Sequence, residues 1–113
     1  MLTSYQYAEA CEWIYRDTRD AKFLTMLLDW AKKYQLINPT QAWAYAMQYD
    51  YEKPGAERNR SLAMTLYLDP ASPRIRTASA TETEAARAWL KKNNPFDSKS
   101  DTGGPKSQIS AMN

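Results

Sequence analysis

Few side chains in this sequence could carry catalysis or bind a metal ion. Its 113 residues include no histidine and one cysteine, Cys11. That composition excludes a histidine general base, a Ser-His-Asp triad, a Cys/His zinc site and an intramolecular disulfide. The carboxylates considered for catalysis or metal binding are Asp17, Asp20, Asp29, Asp50 and Glu52.

The spacing of these carboxylates matches no known acid–base or metal site. An oxygen-only magnesium site would also need a loop that cradles a phosphate substrate, and the chain has only three glycines. Cys11 has Glu9 and Glu12 as neighbours, whose charges disfavour a thiolate, so we interpret it as a buried structural cysteine. We therefore expect a protein that is not an enzyme and needs no metal or cofactor.

A basic region between residues 53 and 76 offers a second kind of chemistry. Together with nearby tyrosines, its bases could form a stacking and charge platform for single-stranded nucleic acid. The net charge of the chain is only +2, which is small for a dedicated nucleic-acid protein. Nucleic-acid binding is therefore an alternative hypothesis, and its candidate residues are Lys53, Arg58, Arg60, Arg74 and Arg76.

The aromatic content points to protein binding instead. Eight tyrosines and four tryptophans stand against two phenylalanines, and Tyr and Trp are enriched where a surface is buried on binding. A small domain has little interior for so many rings, although they could also fill gaps left by the many alanines. The candidate partner-binding residues are Trp43, Tyr45, Tyr49, Tyr51 and Phe96.

Composition also sets the fold class. Valine is absent and alanine, leucine and methionine supply most of the aliphatic side chains, so a valine-rich buried sheet is improbable. We predict an all-α fold, a small bundle of four to five short helices with an extended C-terminal arm. The helical domain would span residues 1–92, and the polar arm, residues 93–113, would be ordered only by partner contacts.

Local signals place the first two helices. Thr3 and Gln6 have the spacing of a capping box, which predicts a helix over residues 4–17. Its inward side would carry Tyr7, Cys11 (or Ala10) and Ile14. The stretch 21–34 is the most hydrophobic, and we predict that it is the central helix.

Two further capping signals place helices later in the chain. Asn38 followed by Pro39 predicts a third helix over residues 39–49, with Asn38 as its cap. Thr81 and Glu84 have the spacing of another capping box and predict a helix over residues 82–92.

The segment between these helices is ambiguous. Leucine or methionine alternates with other residues over 62–68, which would suit a strand, but no partner strand with similar alternation exists. We favour a helix over 56–68. Residues 71–80 follow Pro70, contain Pro73 and have little to bury, so we predict an extended connector.

These observations predict a non-catalytic protein-interaction module, a structural or accessory subunit of a larger assembly such as a phage particle. Its partner would be another protein or copies of itself, and a small inhibitor of a host enzyme is a further alternative. No segment approaches the roughly 18 apolar residues of a membrane helix, and the first residues lack the features of a secretory signal. The expected location is the cytoplasm or a virion.

Overall fold

The computed structural model describes residues 2–93 and confirms the all-α prediction. It contains α1 (Ser4–Thr18), α2 (Ala21–Ile37), α3 (Ala42–Tyr51), α4 (Ala56–Leu68) and α5 (Ala80–Asn93), with a 3₁₀ turn at Pro73–Ile75. No strand occurs among these residues, and the ambiguous segment 62–68 lies inside α4. The predicted arm lies outside the described residues, apart from Asn93.

The capping box predicted at the start of α1 is present. The Thr3 hydroxyl accepts a hydrogen bond from the Gln6 backbone N–H (3.1 Å), and Gln6 Oε1 accepts one from the Thr3 N–H (2.9 Å). At the other end, Arg19 adopts a left-handed conformation with φ of 58°, and its N–H donates to the Tyr15 carbonyl (2.7 Å). These local contacts fix both ends of α1 close to the predicted bounds.

The predicted start of the third helix is wrong. Asn38 ends α2, with its N–H donating to the Tyr34 carbonyl (2.8 Å), and α3 begins only at Ala42. Pro39 therefore lies in the turn between the helices. The longer α2 is favoured because it carries Gln35 into the interior, where its amide reaches α3, and a buried amide requires such a partner.

The predicted cap of α5 is displaced by two residues. The box is formed by Ser79 and Glu82 instead of Thr81 and Glu84: the Ser79 hydroxyl accepts from the Glu82 N–H (3.1 Å), and Glu82 Oε1 accepts from the Ser79 N–H (3.1 Å). Glu82 Oε1 also accepts a hydrogen bond from the Tyr49 hydroxyl (3.2 Å). This contact with α3 favours the earlier of two boxes that have the same spacing.

Each helix packs against the next helix in the chain, and α3 also packs against the 3₁₀ turn. The prediction that residues 21–34 form the central helix is wrong, because α3 has the most buried position: all six residues from 44 to 49 are buried. Its alanines let neighbouring helices approach closely. One apolar cluster lies on each side of α3: Ala8, Cys11, Leu27, Ala31 and Met47 in the first, and Tyr49, Leu62, Ala63, Ile75 and Ala86 in the second.

The inward face of α1 differs from the predicted one. Cys11 is buried as predicted, but Tyr7 and Ile14 are exposed, and Ala8 and Glu12 are buried instead. The face is rotated by about one residue, or roughly 100°, because the Glu12 carboxylate has partners in the interior. Burial raises the pKa of the Cys11 thiol, as expected for a structural cysteine.

The predicted extended connector is also wrong. Residues 69–78 form successive turns around the 3₁₀ segment, and Ser72 and Ile75 are buried. Ile75 joins the second apolar cluster. Anchoring this residue holds the adjacent Arg74 against α1 and α3, at the site described next.

Candidate functional site

A pocket of about 570 Å³ opens between α1, α3 and the connector that contains the 3₁₀ turn. We call it the α1–α3 pocket. Its main lining residues are Tyr5, Glu9, Glu12, Trp13 and Arg16 from α1, Trp43 and Asp50 from α3, and Asp69 and Arg74 from the connector.

The floor of the pocket is a buried ion pair. Glu12 is only 4% exposed, and Arg74 holds it with two parallel hydrogen bonds, from Nη1 to Oε2 (2.7 Å) and from Nη2 to Oε1 (2.9 Å). Arg74 Nη1 also donates to Asp50 Oδ2 (2.9 Å). This bidentate geometry gives strong, directional hydrogen bonds, so one guanidinium connects α1, α3 and the connector.

Two further side chains complete the coordination of Glu12. The Tyr51 hydroxyl donates to Glu12 Oε2 (2.6 Å) and accepts from Arg16 Nε (2.9 Å). Arg16 Nη2 lies 3.3 Å from the same carboxylate oxygen. Glu12 is thus a buried charge with several donors, as a carboxylate in the interior requires.

The ionisation of these groups follows from their contacts. Burial alone would raise the pKa of Glu12, but hydrogen bonds from Arg74 and Tyr51 and the charges of Arg74 and Arg16 outweigh it, so this pKa is lowered. Hydrogen bonding to Glu12 raises the pKa of Arg74. Burial, reinforced by the bond to Glu12, raises the pKa of Tyr51 to about 12. At neutral pH the carboxylate is charged and the phenol neutral, and neither is poised to transfer a proton.

The lining carries an excess of negative charge once these pairs are formed. Glu12 and Asp50 balance Arg16 and Arg74, which leaves Glu9 and Asp69. Glu9 accepts a hydrogen bond from the Tyr5 hydroxyl (3.1 Å), and Asp69 is exposed and makes no ion pair within residues 2–93. The charge of the lining is therefore −2.

Aromatic rings form much of the wall. Tyr5 meets Trp43 edge to face with ring centroids 5.1 Å apart, and Tyr34 packs on Trp43 at the same distance. Trp13 is 64% exposed at the rim. Aromatic faces and carboxylates both attract cations, so this pocket suits a positively charged group.

The structure does not assemble the candidate partner-binding residues into one surface. Tyr45 and Tyr49 are buried, and each hydroxyl has an internal acceptor, the Pro39 carbonyl (2.8 Å) for Tyr45 and the Glu82 carboxylate for Tyr49. Trp43 and Tyr51 are half-buried. Trp43 lines the α1–α3 pocket and Tyr51 lies beneath it, whereas Phe96 lies outside the described residues.

The candidate nucleic-acid residues are divided between internal contacts and solvent. Arg58 lies over the Tyr49 ring, 4.5 Å from its centroid, and is 3.5 Å from Glu82. Arg60 donates to the buried Gln35 amide oxygen (3.3 Å).

Arg74 is likewise engaged by internal partners, Glu12 and Asp50. Only Lys53 and Arg76 are exposed. The donors that a phosphate would need are therefore largely committed to the fold.

Sequence reasoning did not identify Glu9, Glu12, Trp13 or Asp69 as site residues. Trp13 carried one usable signal, because it is a large aromatic outside the predicted apolar face of α1, and such a departure from an amphipathic pattern indicates a special environment. Glu12 also lay outside the predicted face, as an ordinary surface charge does, and its burial became visible only in the structure.

Within residues 2–93, no three acidic or cysteine side chains are grouped so that they could hold a metal ion. No helix in the same range has the length and apolar character needed to cross a bilayer. Comparisons of the chain with protein-family models, curated proteins and solved structures found no match.

Proposed function

We propose that this chain is a non-catalytic protein-interaction module, a structural or accessory subunit of a larger assembly, and that its α1–α3 pocket receives a lysine or arginine side chain from the partner protein. The observation that carries this proposal is the exposed Trp13 at the rim of a pocket whose lining has an excess of two carboxylates.

Trp13 and Glu9 are placed to act together. They lie four residues apart on α1, so their side chains share one flank of the helix. An indole ring provides a large contact area with few rotatable bonds, and the carboxylate beside it provides charge. Tryptophan is also enriched among the residues that dominate binding energy at interfaces.

The charge of the pocket selects the class of partner. The whole chain carries +2, whereas the lining carries −2, with Glu9 on α1 and Asp69 on the connector. A cationic side chain between them would be neutralised without breaking the Glu12–Arg74 pair. A phosphate would instead meet two carboxylates, and like charges disfavour binding.

The pairing on the floor supports a non-catalytic role. Glu12 accepts hydrogen bonds from Arg74 and Tyr51 and lies 3.3 Å from Arg16 Nη2, so its charge is already balanced by side chains of the fold. Its lowered pKa also makes it a weak base. The network holds the walls in place and leaves recognition to the rim.

The test uses short capped peptides as probes. Acetyl-Gly-Arg-Gly-amide and acetyl-Gly-Lys-Gly-amide are titrated into the ¹⁵N-labelled full chain, with acetyl-Gly-Gln-Gly-amide as the neutral control, and indole N–H resonances are followed by NMR. The Trp13 signal is assigned from Trp13→Phe. We expect the cationic peptides to shift the Trp13 and Trp43 signals with a Kd of order 1 mM, which suits one small side chain.

Matched variants identify the charges responsible. Glu9→Gln should weaken binding several-fold, whereas Glu84→Gln removes the same charge from an exposed position on α5 and should leave it unchanged. Equal shifts with the neutral and cationic peptides, or no shift of the Trp13 signal, would overturn the proposal.

A further inference from the structure

The other flank of α1 carries a second feature, an apolar strip that crosses onto α2. We call it the hairpin strip. Four members are substantially exposed: Tyr7 is 43% exposed, Ile14 40%, Met26 38% and Ile37 63%. The half-buried Phe23 and Trp30 of α2 lie between them by helical spacing.

The strip is continuous across the two helices. Tyr7 of α1 stacks on Trp30 of α2 with ring centroids 5.4 Å apart and planes only 6° from parallel. Ile14 lies seven residues after Tyr7, two turns along the same side of α1, and Ile37 lies seven residues after Trp30 on α2. At 1.5 Å per residue, the strip is about 20 Å long.

The area of the strip is sufficient for a dimer. Taking about 150–250 Å², the area that an aromatic side chain buries, as the size of a large side chain, the exposed fractions of Tyr7, Ile14, Met26 and Ile37 amount to roughly 400 Å² of mostly apolar surface. Two strips in contact would bury about 800 Å² of apolar surface. Because interfaces are about 57% apolar, the whole contact would bury roughly 1,400 Å², within the range of stable complexes.

We propose that a second copy of this chain covers the hairpin strip, so that two α1–α2 hairpins form a four-helix arrangement around a two-fold axis. A two-fold contact places the same surface on both sides, so an apolar strip can pair with its own copy. The exposed lysines Lys22 and Lys33 border the strip, 5.5 Å and 5.8 Å from the Phe23 and Trp30 ring centroids. With the axis parallel to the helices, α1 of one copy lies on α2 of the other, and every neighbouring pair of helices is antiparallel.

Charges at the rim fit the same arrangement. Asp17 lies near the end of α1 and Lys22 near the start of α2, both exposed at the turn end of the hairpin. A two-fold axis parallel to the helices keeps the two turn ends together, which brings Asp17 of one copy towards the partner subunit's Lys22. This contact occurs twice in the dimer and orients the two copies.

The dimer and the α1–α3 pocket use different flanks of α1. Trp13 and Ile14 are adjacent in sequence, yet their side chains are about 100° apart around the helix. Trp13 belongs to the pocket and Ile14 to the strip. A substitution of Trp13 can therefore affect peptide binding without affecting dimerisation, and a substitution of Ile14 can affect dimerisation without affecting peptide binding. The failure of one proposal can thus be told apart from the failure of the other.

The experiment measures the mass of the full chain by light scattering after size exclusion, over a range of micromolar concentrations. The parent should elute at twice 13.0 kDa. Ile14→Glu places two buried charges in each dimer and should weaken association at least tenfold. Trp13→Glu introduces the same charge on the same helix and should remain dimeric.

A charge-reversal pair keeps the test informative if Ile14→Glu fails to fold, which far-UV circular dichroism reveals. Asp17→Lys lies on the rim and should weaken dimerisation several-fold, and adding Lys22→Asp should restore it. A parent that is monomeric throughout, or a folded Ile14→Glu variant that dimerises as tightly as the parent, would overturn the proposal.

Discussion

Replacing Arg74 with alanine is expected to lower the free energy of unfolding by about 3 kcal/mol at neutral pH. Arg74 donates three hydrogen bonds to the carboxylates of Glu12 and Asp50. Without it, the Glu12 carboxylate, whose side chain is 6% exposed, keeps only Tyr51 and Arg16 as partners. Breaking a buried ion pair from one side costs more than the pair contributes, because the remaining charge stays buried.

The magnitude follows from the ways in which Glu12 can respond. It can remain charged in the interior, or it can bind a proton. Protonation at pH 7 of a carboxyl group with an ordinary pKa of 4.5 costs about 3.4 kcal/mol, because each unit corresponds to about 1.36 kcal/mol. The cost of keeping Glu12 charged cannot exceed this value, because Glu12 can bind a proton instead. The remaining partners, Tyr51 and Arg16, lower this cost. Loss of the packing of the Arg74 alkyl chain adds to the total destabilisation.

The assay is urea unfolding followed by tryptophan fluorescence, since the chain has four tryptophans. Arg76→Ala is the matched control, because Arg76 is exposed two residues away and its loss should change stability by less than about 0.5 kcal/mol. The double variant Glu12→Met/Arg74→Met should recover most of the loss, because it leaves no buried charge unpaired. The charges that lose a partner, Asp50 and Arg16, are exposed.

The pH dependence of the stability difference between the parent and Arg74→Ala provides an independent test. In the parent, the lowered pKa of Glu12 means that its ionised form stabilises the fold above the ordinary pKa, and that this contribution is lost as pH falls through the lowered pKa. In Arg74→Ala, the strongest contacts opposing the effect of burial are gone, so Glu12 binds its proton at higher pH. The difference between the two proteins should therefore shrink between pH 7 and pH 4.

A loss below about 0.5 kcal/mol at pH 7, equal to that of Arg76→Ala, would refute the reasoning, because it would mean that the ion pair behaves like a solvated surface pair. A difference that grows on acidification would refute it as well.

Two further predictions concern helix starts. Gly55→Ala should lower the free energy of unfolding, measured in urea, by about 1–3 kcal/mol. Gly55 has a φ of 150°, a backbone conformation that residues with a Cβ rarely adopt. Because no atom lies within 4 Å of an added Cβ, the cost arises in the backbone alone. A neutral or stabilising effect would contradict this. Ser79→Ala removes the cap of α5 and should lower the free energy of unfolding by about 1 kcal/mol, whereas Thr81→Ala should lower it clearly less. If thermal unfolding shows the larger loss for Thr81→Ala, Thr81 is the cap instead of Ser79.

The sequence predicted elements well where the signals are local. The bounds of α4 match the prediction because Gly55 precedes it and Asp69-Pro70 follows it, and both act on the adjacent backbone. The start of α3 was not predictable in this way. Asn38 and Pro39 form a good local start signal, but burial of Gln35 against α3 favours a longer α2.

The residues of the candidate site were harder to predict from the sequence than the helices. Tyr45 and Tyr49 suggested a surface because tyrosine carries a polar group, yet the fold provides an internal acceptor for each hydroxyl. Glu12 is buried beside Arg74, which makes a bidentate contact with it from 62 residues away. No local pattern encodes that distance, and the pocket depends on it.

That long separation also has a kinetic consequence. Helices that are neighbours in the chain pack together, so most of the fold can form by closing short loops, which is fast. A contact across 62 residues is expected to form after the folding transition state. In stopped-flow measurements, Arg74→Ala should therefore leave the folding rate nearly unchanged and accelerate unfolding roughly 100-fold. The ion pair would thus set the lifetime of the native domain rather than the speed at which it is reached.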